Sequence, residues 1–262
     1  MPLRRFSIGP VGEEVYPRFV EELAERFDDS SLDRNVVARE ALTRLYLGRD
    51  VAWEEAVADA SSPLAFRALA ASFDPRNATL EAEYYREIDL EKWARVKPLL
   101  WFWQMFDHSP VGRNVRLGTK VRAMLAERVF RRCGRDVRIF HDVEFSFGYN
   151  LSVGNGVTIH RNVLIDDRGE VVIGDDASIS DYVNIYSHAH AVEDIHDVSL
   201  GRTVIGDRVR ITYHAVVLSG VEIQADAMVG SMGVASKPVA AGVIAAGIPA
   251  KPIGQKRART KD

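Results

Sequence analysis

From residue 147 onward, aliphatic side chains recur at every sixth position. The series runs Phe147, Val153, Ile159, Ile165, skips two residues, resumes at Ile173, Ile179 and Ile185, and after a longer interruption continues through Ile205, Ile211, Val217, Ile223, Val229 and Ala235. Four residues after most of these stands a second small or branched residue: Leu151, Val157, Val163, Ala177, Val183, Val209, Ala215, Val221 and Ala227. Such a period matches neither a helix nor simple strand alternation. It predicts a coil of short strands in which each hexad forms one flat face and a turn, with the aliphatic residues stacked inward as ladders.

The first hundred residues follow a different rule. In VYPRFVEELAERF (15–27) and NVVAREALTRLYLG (35–48) the apolar residues are spaced by three and four, which predicts amphipathic helices, the second closed by Gly48. Ser61-Ser62-Pro63 and Asp74-Pro75 read as loops or helix starts, and from Thr79 the chain is expected to continue helical to Phe106. Trp93, Trp101, Phe102, Trp103 and Phe106 crowd the end of that segment, just before a basic helix over Thr119–Arg132. Two roles fit them: packing against the second domain, or a patch at a membrane interface. The domain boundaries expected are 1–110 (helical), 111–135 (a basic connecting helix), 136–253 (the coil) and 254–262 (a disordered basic tail).

Charge sharpens this division. The chain carries 34 basic and 37 acidic residues, too acidic for a whole-chain nucleic-acid binder. Residues 101–135, however, hold 8 basic against 2 acidic groups, whereas residues 1–100 hold 14 against 19. The single cysteine, Cys133, forms no intrachain disulfide and no zinc finger, consistent with a reducing, cytoplasmic compartment. No apolar stretch follows the two arginines of MPLRRFSIGPVGEE, so no signal peptide is expected.

Three segments resemble the hexapeptide-repeat acyltransferases, in particular the maltose and galactoside O-acetyltransferase group. They are HRNVLIDDRGEVVIGDD (160–176), NIYSHAHAVEDIHD (184–197) and VGSMGVASKPVAAGVIAAGIPAKPIG (229–254). The resemblance spans about residues 137–253. It implies a mainly β fold, a left-handed parallel β-helix with three hexads per turn, preceded here by an α-helical N-terminal domain that the group's usual short N-terminal segments do not match. It also implies an acetyl-CoA- or acyl-CoA-dependent O-acyltransferase, assembled as a homotrimer of about 88 kDa from 29.2 kDa chains.

Transfer of an acyl group from a thioester to a hydroxyl needs a base, and a near-neutral imidazole suits the task. Twenty residues separate Ile185 from Ile205 where eighteen would keep register, so an excursion is expected to leave the coil at His190. The family's catalytic histidine maps to His190. A slip of two residues would exchange it for His188. Glu193 or Asp194 is a candidate to orient the imidazole. His160 stands thirty residues earlier, where the group usually has an asparagine that holds the acceptor; Asp167 is either an acceptor-pocket carboxylate or a turn cap. The resemblance places Tyr213, Ser231, Ser236, Lys237, Gly247 and Lys251 along the coenzyme A groove, with Arg210 where the group often has tryptophan. For Arg210, Lys237 and Lys251 the alternative is solvated surface charge.

No metal is called for, because a thioester is already activated. Nor does the chain show a nucleophilic serine or cysteine motif, which leaves direct transfer. Two other readings remain open at this point. One is a γ-class carbonic anhydrase-like zinc site drawing on His160, His188, His190 and His214, although the His-x4-His spacing of that class is missing. The other is a non-catalytic β-helix scaffold with a helical docking module.

Overall fold

Residues 7–256 are described by a computed structural model; the Arg4-Arg5 pair and the tail beyond Lys256 lie outside the described residues. Six helices come first: α1 (Pro10–Asp28), α2 (Arg34–Leu47), α3 (Trp53–Ala58), α4 (Leu64–Ser72), α5 (Leu90–His108) and α6 (Val115–Val129). Their ends follow local chemistry. Asp33, Asp89 and Asn114 accept backbone N–H groups at the starts of α2, α5 and α6, and Gly48 ends α2 with φ 70°.

The helix expected to run unbroken from Thr79 is not continuous. A single 3-10 turn covers Glu81–Tyr84, and Tyr85 turns extended before Asp89 restarts the helix. Tertiary contacts explain the break. Tyr85 packs edge-on against Phe147, Glu87 binds Arg168 at 2.8 Å, and Glu83 receives Leu80 N, Trp93 Nε1 and Lys97 Nζ.

The basic helix is neutralised from inside the molecule. Arg116 and Arg128 pair with Glu13 and Asp28 of α1. Arg122 is buried against Asp107 of α5 at 2.7 Å, and Asp107 also accepts Asp142 N at 2.8 Å. Part of the charge step in the sequence is thus used in pairs between helices, of which Arg122–Asp107 is buried. The aromatic cluster is core as well: Trp93, Phe102, Trp103 and Phe106 are buried, with Trp103 against Phe145 and Trp93 against Phe147. They form no exposed membrane patch, and among the described residues no helix is long and apolar enough to cross a membrane.

Two residues, Phe130 and Arg131, separate α6 from the coil. Its first face stacks Arg132–Cys133, Leu151–Val153, Glu170–Ile173, Arg202–Ile205 and Glu222–Ile223; its second stacks Arg138–Ile139, Thr158–Ile159, Ser178–Ile179, Arg210–Ile211, Met228–Val229 and Val243–Ala246; its third stacks Glu144–Phe145, Leu164–Ile165, Asn184–Ile185, Val216–Val217 and Val234–Ala235. All these neighbours are parallel, and Lys251–Gln255 closes the second face antiparallel. Ile159, Ile179, Ile211 and Val229 form one inward ladder, each 0 % exposed.

The repeat starts earlier than residue 147. Cys133, Ile139 and Phe145 hold the first rung, and Phe147 sits in a corner carrying two extra residues. Thr158 lies between Arg138 and Ser178, a 20-residue coil, whereas Arg210 to Met228 spans 18. The insertion at Asp166-Asp167 therefore also occurs one turn earlier.

Two corners run on left-handed residues. Asp142, Asn162, Tyr182, His214 and Met232 line one corner, and Asp136, Asp176, Arg208 and Asp226 line another, with φ between 56° and 62°. Side chains pay a steric penalty there, offset by hydrogen bonds between successive turns such as Tyr182 N to Arg161 O and His214 N to Asp181 O. At the third corner Gly220 has φ 75°, and a Cβ there would meet nothing within 4 Å. Gly220→Ala therefore isolates the backbone term, and thermal unfolding is expected to show a loss of about 1 kcal/mol. An unchanged melting temperature would contradict it.

Candidate active site

After Ile185 the chain leaves the third face as a β-hairpin. His188–His190 pairs antiparallel with Val198–Leu200, and Arg202 rejoins the first face. The excursion thus departs at His188, two residues before the position expected.

The hairpin fixes the two imidazoles differently. His190 Nδ1 lies 2.5 Å from the Ile195 carbonyl across the loop. A carbonyl only accepts, so Nδ1 carries a proton, and in the neutral ring Nε2 keeps its lone pair. Neither Glu193 nor Asp194 orients this ring: Glu193 is exposed in the loop, and Asp194 accepts His196 N at 2.8 Å. A main-chain carbonyl takes the place of the expected carboxylate.

His188 has the carboxylate. Its Nδ1 lies 2.5 Å from Asp166 Oδ2, and the same carboxyl group accepts Ser187 N at 3.0 Å, His188 N at 3.2 Å and Ser146 Oγ at 2.9 Å. Burial opposes ionisation of Asp166, but the His188 imidazole and the Ser187 N–H outweigh it and hold the carboxyl below its usual range. The two rings meet edge to face with centroids 5.1 Å apart.

Both histidines line a cleft of about 810 Å³ between the coil and the helical domain. Tyr186 and Arg168 belong to the coil side; Tyr84, Tyr85, Arg86 and Glu87 form the opposing wall. Arg168 is held by Glu87 and lies 4.2 Å over the Tyr85 ring.

Asp167 does not face this cleft. It is 0 % exposed and accepts Phe147 N at 2.7 Å and Asn150 N at 3.1 Å, so it caps the preceding inserted corner. Burial outweighs those N–H groups and pushes its carboxyl up to about 6. Because the folded state then binds the proton more tightly than the unfolded chain does, this group lowers stability as pH rises from about 4 to 6. In urea titrations Asp167→Asn is expected to flatten that fall, worth at most about 3 kcal/mol; an unchanged slope would contradict the assignment.

The remaining predicted residues lie elsewhere. His160 stacks on Phe140 at 5.0 Å on the corner between second and third faces, one turn from Tyr182. Tyr213, Ser231 and Gly247 follow on the same corner, Arg210 lies on the adjoining strand, and Lys251 opens the final strand. Ser236 and Lys237 sit on the corner from which the hairpin leaves, on a later turn. None of these lines the histidine cleft. His214 stacks on Tyr182 at 4.8 Å, also apart from His188 and His190, and among the described residues no three metal-binding side chains converge.

Sequence reasoning missed Asp166 as the partner of His188, although it is the other half of the expected insertion. It also missed the wall at 84–87, for which the helical pattern gave no signal.

No family model matches the chain. Against known proteins, it is 28 % identical to the galactoside O-acetyltransferase of Escherichia coli K12 over 177 residues, covering 65 % of this chain and 82 % of the relative. It is 34 % identical to the serine acetyltransferase of Mycobacterium tuberculosis over 116 residues, covering 41 % and 47 %. Among solved structures, a maltose O-acetyltransferase from Clostridium difficile 630 superposes with a TM-score of 0.58 at 20 % identity, over 69 % of this chain and all of that one. A galactoside acetyltransferase in complex with coenzyme A gives 0.56 at 27 % identity, over 64 % and 82 %. With its stacked hexads, the chain has the left-handed parallel β-helix of these acetyltransferases and resembles them in sequence along the coil.

Proposed function

We propose that the protein moves an acyl group, acetyl first among the candidates, from acyl-CoA to a hydroxyl of a sugar-like or other small acceptor. The observation that carries this reading is His190, whose Nδ1 is tied to Ile195 and whose Nε2 is left to accept a proton beside an open cleft. Nε2 takes the hydroxyl proton as the oxygen attacks the thioester carbonyl. The carbon–sulfur bond then breaks, and the imidazolium returns its proton to the departing thiolate. The names of the relatives support an acyl-CoA donor and a small hydroxyl-bearing acceptor.

The donor groove falls to the stripe of Tyr213, Ser231, Gly247 and Lys251 with Arg210, and His160 stands on the same corner. That stripe and the histidine hairpin occupy different corners of one chain. A site using both needs a neighbouring copy, which favours the homotrimer. Cys133, a lone cysteine without a disulfide partner, fits a reducing cytoplasm.

A mass-spectrometric screen of hydroxyl and amine acceptors with acetyl-CoA, then with longer acyl-CoAs, tests the activity. An acylated hydroxyl product is expected. A protein that neither binds coenzyme A in calorimetry nor acylates any acceptor would refute the reading.

A further inference from the structure

We infer that the acceptor carries two neighbouring hydrogen-bond donors, a vicinal diol or amino alcohol on a ring, and that His188 anchors the donor next to the hydroxyl that His190 deprotonates. This rests on the acyltransferase reading above. Each imidazole is committed through Nδ1, His188 to Asp166 and His190 to the Ile195 carbonyl, so in its neutral form each presents Nε2 as an acceptor. Neither Nε2 has a hydrogen-bond partner among the described residues, and both rings line the same cleft.

A single hydroxyl can satisfy only one such acceptor. Rings 5.1 Å apart and nearly perpendicular, at 88°, offer two acceptors at different angles, which suits adjacent groups on one small molecule. Holding the turn does not require the imidazole of His188, since Asp166 already receives Ser187 N, His188 N and Ser146 Oγ. What the ring adds is an oriented acceptor facing the cleft. Across the cleft the exposed ring of Tyr84 offers an apolar face of the kind on which a polyhydroxylated ring can lie, whereas the Tyr85 ring is covered by Arg168.

The test is steady-state kinetics with acetyl-CoA on methyl hexopyranosides, glucosamine and their monodeoxy analogues, which lack the group beside the acylated hydroxyl. The wild-type protein is expected to favour the intact pair by about 10- to 100-fold in kcat/KM, because a hydrogen-bonding site left unpaired in the complex is costly. In His188→Ala that preference should collapse to within about twofold, through loss on the intact acceptor and not on the deoxy one. His188→Gln, which restores an acceptor, should recover part of it. Coenzyme A affinity should be the same in all three. Equal use of deoxy and intact acceptors by the wild type overturns the inference, as does a preference that survives in His188→Ala; the wild-type comparison needs no variant to fold. Absence of transfer to every acceptor refutes the acyltransferase reading itself, and this inference with it.

Discussion

Replacement of His190 by alanine is expected to lower kcat about 100- to 10,000-fold, the range for removing a general base. Coenzyme A affinity should move little, because the proposed donor groove holds the cofactor through other residues. The structure gives the reason for choosing this imidazole. Its Nδ1–H donates to an uncharged carbonyl, so Nε2 can gain and release a proton without disturbing a buried charge. His188 is tied to a buried carboxylate that also holds the turn together, and its replacement should cost less in kcat. Measured side by side in single-turnover assays, a larger loss at His188 than at His190 would move the base to the Asp166-bound ring.

The second large effect concerns stability. Arg122 is 1 % exposed, donates to Asp107 Oδ1 at 2.7 Å and reaches the Gly112 carbonyl at 2.5 Å, while Asp107 Oδ2 takes Asp142 N from the first turn of the coil. Burial already pushes the Asp107 carboxyl up, against the pull of Arg122. Arg122→Met strands that carboxylate in a dry interface and is expected to cost about 3–5 kcal/mol in urea unfolding. Pairing it with Asp107→Leu should recover much of the loss, because no unpaired charge then remains. A double variant as unstable as the single one would show that the Asp142 bond, not the ion pair, joins the helices to the coil.

Much of this fold could be read in the chain. The ladder from Val153 onward is legible because inward positions of a coil tolerate only aliphatic side chains, and their period survives each insertion. The first rung escaped because Cys133 and Ile139 stand among arginines, and because two inserted residues bring Phe147 into apparent register in place of Phe145. At the site, the residue types were legible and their partners were not. Asp166 lies 22 residues from His188 in sequence, and the group on His190 is a backbone carbonyl, which no side-chain pattern reveals. Residues 79–89 misled for a related reason: their helical spacing is real, but contacts of Tyr85 and Glu87 with the coil override it.

The helices also occupy the end of the coil where the first rung would otherwise be bare. Arg132–Cys133, Arg138–Ile139 and Glu144–Phe145 each pair on one side only, and Phe145 packs under Trp103 and Phe130. Without that lid, three parallel strand edges around an apolar plug would match the geometry of another coil's turn, and molecules could add end to end without limit. The helical domain is therefore a terminator: it makes a repeat that could grow as a filament stop at a defined length.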